Sequence, residues 1–166
     1  MATNGHLPGT EDEHAQLWLT PEEMDSWISL VRLITRLPWA LDIQMQKDSG
    51  LSMLDYMVMA KLSEAPERTL RMSVLAERTN SSLSRLSHLV KRLESRGYAR
   101  REPDPADGRF TNAILLPAGM RKLESAAPGH AAYVRHLVVD NLSAERLRRL
   151  GQDAQKVLSR IDSPAR

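Results

Sequence analysis

The chain has 166 residues, of which 42% are hydrophobic and 27% charged, and its formal net charge is +2. This apolar share supports a packed core, so wholesale disorder is excluded. The absence of cysteine excludes disulfides, thiolate metal sites and cysteine nucleophiles. No apolar stretch approaches the roughly 18 residues of a membrane span, and the first 20 residues lack the pattern of a signal peptide. We therefore expect no membrane association and a cytoplasmic location.

The charge is distributed unevenly along the chain. Ten basic and five acidic residues lie between Arg68 and Arg109, a net charge of +5, whereas residues 1–64 carry a net charge of −6. A compact basic segment in a nearly neutral protein indicates a polyanionic partner for that segment. A solvated basic surface would show the same charges, so charge alone leaves both interpretations open.

In chain order, the first predicted elements are an arm and a long helix. Residues 1–19 are polar and contain glycine and proline, which predicts a flexible N-terminal arm. A helix is predicted to start next, because Thr20 can cap it and Glu23 can complete a capping box. The apolar residues that follow recur at helical spacing on more than one face. Burial on two sides indicates a second subunit, so residues 20–50 are predicted to be a dimerisation helix.

Residues 51–116 are predicted to form a winged helix-turn-helix DNA-binding domain. The predicted order is helix, short strand, helix, turn, helix and hairpin, with the elements near residues 52–63, 69–71, 73–79, 81–95 and 98–116. Asn80 falls in the turn between the two central helices, where asparagine tolerates a left-handed backbone. Asp107-Gly108 lies between two strand-like runs, which is a hairpin signal.

Residues 117–166 are predicted to form C-terminal dimerisation helices. The first is expected to bend at Pro128-Gly129, because proline removes a backbone donor. Ser143 is expected to cap the last helix, which carries an apolar stripe. The predicted fold class is therefore mainly α with a small β-hairpin wing, a winged helix-turn-helix domain flanked by N- and C-terminal dimerisation helices.

The helix predicted over residues 81–95 divides into two faces at about 100° per residue. One face is apolar, with Leu83, Leu86, Leu89, Val90 and Leu93. The exposed face carries serines, a histidine, an arginine and a lysine, which suit close approach to the major groove and contact with base edges and phosphates. An ordinary amphipathic helix shows the same division, but the neighbouring turn and hairpin favour DNA. The predicted DNA contacts in this region are Ser82, Ser84, Arg85, Ser87, His88, Lys91 and Arg92.

Several stretches carry a resemblance to a known family: Leu51-Ser52 followed by Tyr56, Arg71-Met72-Ser73-Val74-Leu75-Ala76-Glu77, Leu93-Glu94-Ser95-Arg96-Gly97-Tyr98, and Asp104-Pro105-Ala106-Asp107-Gly108-Arg109. They resemble the MarR family of bacterial winged-helix transcription regulators, over about residues 20–161. The resemblance implies a homodimer with interlocked terminal helices that binds a near-palindromic operator. It also implies that Arg109 enters a minor groove and that Asp107 holds it. Gly108 departs from the family, which often has arginine or another larger residue there.

The resemblance further implies a small aromatic or anionic effector between the dimer helices and the winged domain. The predicted wall residues are Trp39, Asp42, Tyr56 and Met57, although core packing would also account for each of them. The resulting prediction is a DNA-binding transcriptional regulator, a repressor relieved by a small ligand, whose partners are double-stranded DNA and a second copy of the chain.

An enzyme and a protein-interaction module are the alternatives. The sequence contains no G-x-S-x-G, H-E-x-x-H, phosphate-loop or dinucleotide-binding motif, and its histidines lack ligand spacing. We therefore predict no catalytic residues, no metal site and no cofactor. A winged helix that has lost specific DNA binding would carry acidic or bulky residues on the exposed face of the 81–95 helix. Ser84, Arg85, His88 and Lys91 are not of that kind.

Overall fold

A computed structural model describes residues 18–163, which form six α-helices and a three-stranded sheet. The helices are α1 (Pro21–Ser49), α2 (Met53–Ser63), α3 (Met72–Arg78), α4 (Leu83–Ser95), α5 (Pro117–Leu137) and α6 (Ala144–Asp162). Short 3₁₀ turns occupy Pro66–Arg68 and Val139–Asn141, and the strands are β1 (Thr69–Arg71), β2 (Ala99–Pro103) and β3 (Thr111–Leu115). The predicted fold class is confirmed. The predicted N-terminal arm lies outside the described residues, except for its last two.

The chain divides into two compact units within α1, one ending at Trp39 and the other beginning at Ala40. The second unit therefore contains the last turns of α1 together with all the later elements. None of the helices described between residues 18 and 163 has the length and apolar character needed to cross a membrane.

Side-chain hydrogen bonds cap the starts of α1, α2 and α6. The amide of Thr20 donates to the Glu23 carboxylate at 2.8 Å, and the amide of Glu23 donates to the Thr20 hydroxyl at 3.3 Å. Ser52 and Asp55 form the same reciprocal box at the start of α2, with both hydrogen bonds at 3.0 Å. The Ser143 hydroxyl caps α6 as predicted. These caps satisfy amides that have no partner inside their helices.

The core of the second unit lies between α2, α3, α4, the sheet and α5, and it includes Leu51, Val58, Met59, Leu62, Leu75, Leu86, Val90 and Leu93. The predicted apolar face of α4 is buried at four of its five positions. Leu83 is the exception, with 54% of its surface exposed. As the first residue of α4, it lies beside the hairpin rather than the core, and it lines a small cavity with Arg109 and Phe110.

The three strands form an antiparallel sheet in the order β1-β3-β2. Residues Ala99 to Pro103 pair with Leu115 to Thr111, so the hairpin tip spans residues 104–110. α5 then begins so close to the sheet that a β-carbon at Gly119 would collide with the Tyr98 carbonyl oxygen. This close approach fixes the start of α5 against the base of the hairpin.

α5 extends as one helix from Pro117 to Leu137, so Pro128 does not end it, and the predicted bend at Pro128-Gly129 stays a prediction. Proline removes one hydrogen bond to the carbonyl of Glu124. Both residues lie on the exposed side of α5, where water can bind that carbonyl. The helix therefore tolerates the loss.

Candidate nucleic-acid interface

A tight turn joins α3 to α4. Asn80 adopts the predicted left-handed conformation, with φ of 46°, and the amide of Ser81 donates to the Ala76 carbonyl at 2.9 Å. The Ser82 hydroxyl then accepts a hydrogen bond from the amide of Arg85 at 3.2 Å. Ser82 therefore serves as the N-cap of α4 and fixes the point at which this helix begins.

The outward face of α4 carries Ser84, Arg85, His88 and Lys91, and all four are exposed. They lie opposite the buried Leu86, Leu89, Val90 and Leu93. These four exposed positions include two cationic side chains and no carboxylate. We refer to them as the α4 face.

Two other predicted contact residues of α4 are bonded within the protein. Ser87 is half-buried and accepts a hydrogen bond from Arg101 at 3.3 Å, while Arg101 also binds Glu94 at 2.7 Å. Arg92 pairs with the buried carboxylate of Asp55 at 2.6 Å, although 47% of its side chain remains exposed. These contacts connect α4 to strand β2 and to helix α2, so they set the orientation of the α4 face.

A cavity of about 660 Å³ lies beside the α4 face, lined by Asp42, Ser52, Leu54, Ser82, Ser84, Arg85, His88, Leu89 and Arg92. Of the four predicted wall residues, only Asp42 lines it, and its carboxylate accepts a hydrogen bond from the Met53 amide at 2.7 Å. Met57 is half-buried elsewhere on α2, and Trp39 is exposed in the other unit.

Tyr56, the remaining predicted wall residue, contacts α5 instead of this cavity. Its ring centroid lies 4.8 Å from that of His130. Burial raises the pKa of Tyr56 and lowers the pKa of His130, because both charged forms lose contact with water. The uncharged pair therefore belongs to the packing between α2 and α5.

The hairpin tip presents Arg109. Its guanidinium lies 2.6 Å from the Asp107 carboxylate, while 85% of the arginine side chain is exposed. The hydrogen bonds from Arg109 lower the pKa of Asp107 and, reciprocally, raise the pKa of Arg109. Asp107 therefore holds the guanidinium in one orientation without covering it, in the manner that the family resemblance implies.

Asp104 organises this tip, and from the sequence it was named only as the first residue of the stretch Asp104–Arg109, with no role of its own. Its buried carboxylate accepts hydrogen bonds from the amides of Ala106 at 2.9 Å and Asp107 at 3.3 Å, and from Arg71 at 2.7 Å. The Ala106 amide and then Arg71 hold the pKa of Asp104 below its usual range. Arg71 also lies over the Phe110 ring, 4.6 Å from its centroid. An aspartate ahead of a turn is a known signal for such side-chain to backbone bonding, so Asp104 could have been found.

The site therefore combines a basic and hydroxyl-bearing helix face with an exposed arginine on a stiffened hairpin. Among residues 18–163, no group of three or more histidine, aspartate or glutamate side chains is arranged to hold a metal ion. The available chemistry is hydrogen bonding and positive charge, which suits a polyanion.

Comparison with known proteins gives consistent matches. A model of the MarR family matches residues 49–109. The crystal structure of Sco3205, a MarR family transcriptional regulator from Streptomyces coelicolor, in complex with DNA, is 41% identical, with a TM-score of 0.84 over 89% of this chain and 96% of that one.

Two further relatives are also described as transcriptional regulators. The structure of AbsC, a MarR family transcriptional regulator from the same organism, is 33% identical, with a TM-score of 0.81 over 87% of this chain and 97% of that one. The transcriptional regulator HosA of Escherichia coli O111:H- is 29% identical over 106 residues, which are 64% of this chain and 70% of that protein. By its motifs, its winged helix-turn-helix fold and these relatives, the chain belongs to the MarR family of transcription regulators.

Proposed function

We propose that this protein regulates transcription by binding a specific double-stranded DNA site, and that it has no catalytic activity. The observation that carries the proposal is the α4 face, where Ser84, Arg85, His88 and Lys91 are exposed together without a carboxylate among them. Because chromosomal DNA is the proposed partner, the proposed location is the bacterial cytoplasm.

The two exposed parts of the site suit the two grooves of DNA. The α4 face carries hydrogen-bond donors that suit the major groove, and we assign Arg85 to base edges and Lys91 to phosphate. Arg109 on the hairpin suits a narrow minor groove, whose negative potential attracts an inserted arginine. Asp107 lowers the entropy that Arg109 loses on insertion, since the ion pair already restrains the side chain.

We propose further that the protein binds DNA as a homodimer. Large apolar side chains are exposed on α1 and on α6, among them Trp27, Ile34, Val157, Leu158 and Ile161. Exposed apolar surface on a helix is typical of an interface. A second copy of the chain would cover it and would present two α4 faces to a near-palindromic operator.

The test of DNA binding is selection of bound duplexes from a random pool by the purified protein. We expect enrichment of one near-palindromic sequence. On that duplex, Arg85→Ala should weaken binding by roughly 1–3 kcal/mol and relax the preference at one base position. Lys91→Ala should weaken binding to all sequences alike.

Arg135→Ala is a matched control for these variants, because Arg135 is exposed on α5 and pairs with Asp140 at 2.6 Å. It should leave DNA affinity unchanged. If neither Arg85→Ala nor Lys91→Ala differs from this control in affinity or selectivity, the α4 face is not the DNA-binding surface.

We also propose that a small anionic effector binds the 660 Å³ cavity and releases the DNA, so that repression is relieved. The supporting observation is that the cavity and the α4 face share Ser84, Arg85 and His88. A bound carboxylate would attract the Arg85 and Arg92 guanidinium groups away from other partners. Benzoate should therefore weaken operator binding, whereas benzyl alcohol, a neutral molecule of similar size, should not. Equal effects of the two compounds would contradict an anion site in this cavity.

A further inference from the structure

Leu83 is an exposed apolar side chain at the edge of the polar and basic α4 face. It is the first residue of α4, and 54% of its surface is exposed. Ser84 and Arg85 of the α4 face follow it directly in the helix. On its other side it lines a cavity of about 170 Å³ together with Arg109 and Phe110. Leu83 therefore lies between the two parts of the site that are proposed to contact DNA.

A duplex that contacts both the α4 face and Arg109 would also lie over Leu83. The amino-terminal residues of a recognition helix are the ones that meet base edges in the major groove. The apolar group displayed by unmodified DNA in that groove is the C5-methyl of thymine. Packing the leucine on this methyl removes apolar surface of both molecules from water, which a hydroxyl or a guanidinium cannot do to the same extent.

We propose that Leu83 is a specificity-determining residue that selects thymine at one position of each operator half-site by packing against its C5-methyl group. This inference rests on the proposed function, because it requires that α4 enters the major groove. It adds a contact that neither charge nor hydrogen bonding supplies.

The test is a uracil scan of the duplex selected from the random pool. Each thymine is replaced in turn by uracil, which removes the methyl group and leaves the base-pairing edge intact. We expect one thymine in each half-site at which uracil weakens the wild type about fourfold, from the loss of one buried methyl, or roughly 15-fold when both half-sites are changed. Leu83→Ala should bind the thymine and uracil duplexes at this position equally.

Two controls keep the test specific. Leu83→Met retains an apolar side chain and should retain the preference for thymine. Uracil at the other thymines should change the affinities of the wild type and Leu83→Ala by the same factor. Because Leu83 is mostly exposed, its variants should fold, which far-ultraviolet circular dichroism verifies.

The remaining outcomes separate this inference from the proposed function. If the wild type selects a duplex but uracil has the same effect on the wild type and Leu83→Ala at every position, Leu83 does not read a methyl group, and the proposed function stands. The same conclusion follows if Leu83→Ala weakens all duplexes equally, as loss of a sugar or phosphate contact would. If no duplex is enriched, the proposed function fails and the role of Leu83 fails with it.

Discussion

The Asp55 carboxylate joins two helices of the second unit at one point. It accepts a hydrogen bond from the Ser52 amide at 3.0 Å, which caps α2, and it pairs with Arg92 of α4 at 2.6 Å. The amide of Met53, the residue after Ser52, donates a hydrogen bond to the Asp42 carboxylate of α1. The position of α4 relative to α2 and to the α1 residues of the second unit therefore depends on a few polar contacts at the start of α2.

Arg92→Ala should lower the free energy of unfolding by about 1–3 kcal/mol, because it leaves the Asp55 carboxylate buried without its cation. This range is below that of a fully buried pair, since 47% of the Arg92 side chain is exposed. Urea denaturation measures the loss. Lys61→Ala is the control, because the Lys61–Glu64 pair is exposed on both sides and should contribute less than about 1 kcal/mol. Equal losses in the two variants would mean that the Asp55–Arg92 pair does not stabilise the fold.

His130 should make stability depend on pH. Burial lowers its pKa in the folded protein below the ordinary value of 6.5. As the pH falls through 6.5, the unfolded chain binds a proton that the folded protein does not, so stability decreases toward lower pH. His130→Phe retains an aromatic ring against Tyr56 and removes the titration. Its Tm should fall less than that of the wild type between about pH 7 and 5, and parallel curves for the two proteins would show that His130 does not contribute.

At the scale of single elements, periodicity predicted where the helices lie but not which contacts their polar residues make. The spacing of leucines in α4 identified its buried face. Spacing gives the direction of a side chain around the helix axis but not whether the core extends to that turn, so it could not show that Leu83 is exposed. Arg92 was assigned to DNA from its angle as well. Its partner Asp55 is 37 residues away, so this ion pair was not readable from local sequence.

In the hairpin, too, local features were predicted from the sequence and contacts between distant residues were not. Its turn residues predicted a hairpin, and the family resemblance implied the pairing of Asp107 with Arg109, which the structure contains. The contact of Asp104 with Arg71 crosses 33 residues and depends on the pairing of β1 with β3, which local patterns do not specify. The contact of Tyr56 with His130 of α5 joins residues 74 positions apart, so local sequence did not indicate it either.

Arg109→Ala should reduce operator affinity while leaving the fold and the preferred major-groove bases unchanged, because the exposed guanidinium has little part in packing. If both wings of a dimer contact phosphate, the slope of log K against log salt should become shallower by about two units. Titration of one duplex at several salt concentrations measures this slope. Identical slopes for Arg109→Ala and the wild type would leave the hairpin without a part in binding.

At the scale of the whole molecule, α1 and α6 expose large apolar side chains that a second copy of the chain is proposed to cover. Leu158 is 49% exposed on the last helix, and Val157 beside it is 55% exposed. Leu158→Glu should convert a dimer into monomers, because a buried charge without a partner is strongly unfavourable. Lys156→Glu is the matched control on the polar side of α6, where Lys156 is 78% exposed. Sedimentation that finds both variants dimeric would place the interface elsewhere.

We propose that two α4 faces, held by one dimer, bind two half-sites of one duplex. In that arrangement the half-site centres lie about 10 base pairs apart, in successive major grooves. The most direct test is the affinity of the protein for its selected duplex before and after insertion of about 5 base pairs, half a helical turn, between the half-sites. We predict that the insertion reduces affinity to that of a single half-site, because the second major groove then faces away from the second protomer. Unchanged affinity for the lengthened duplex would contradict the account.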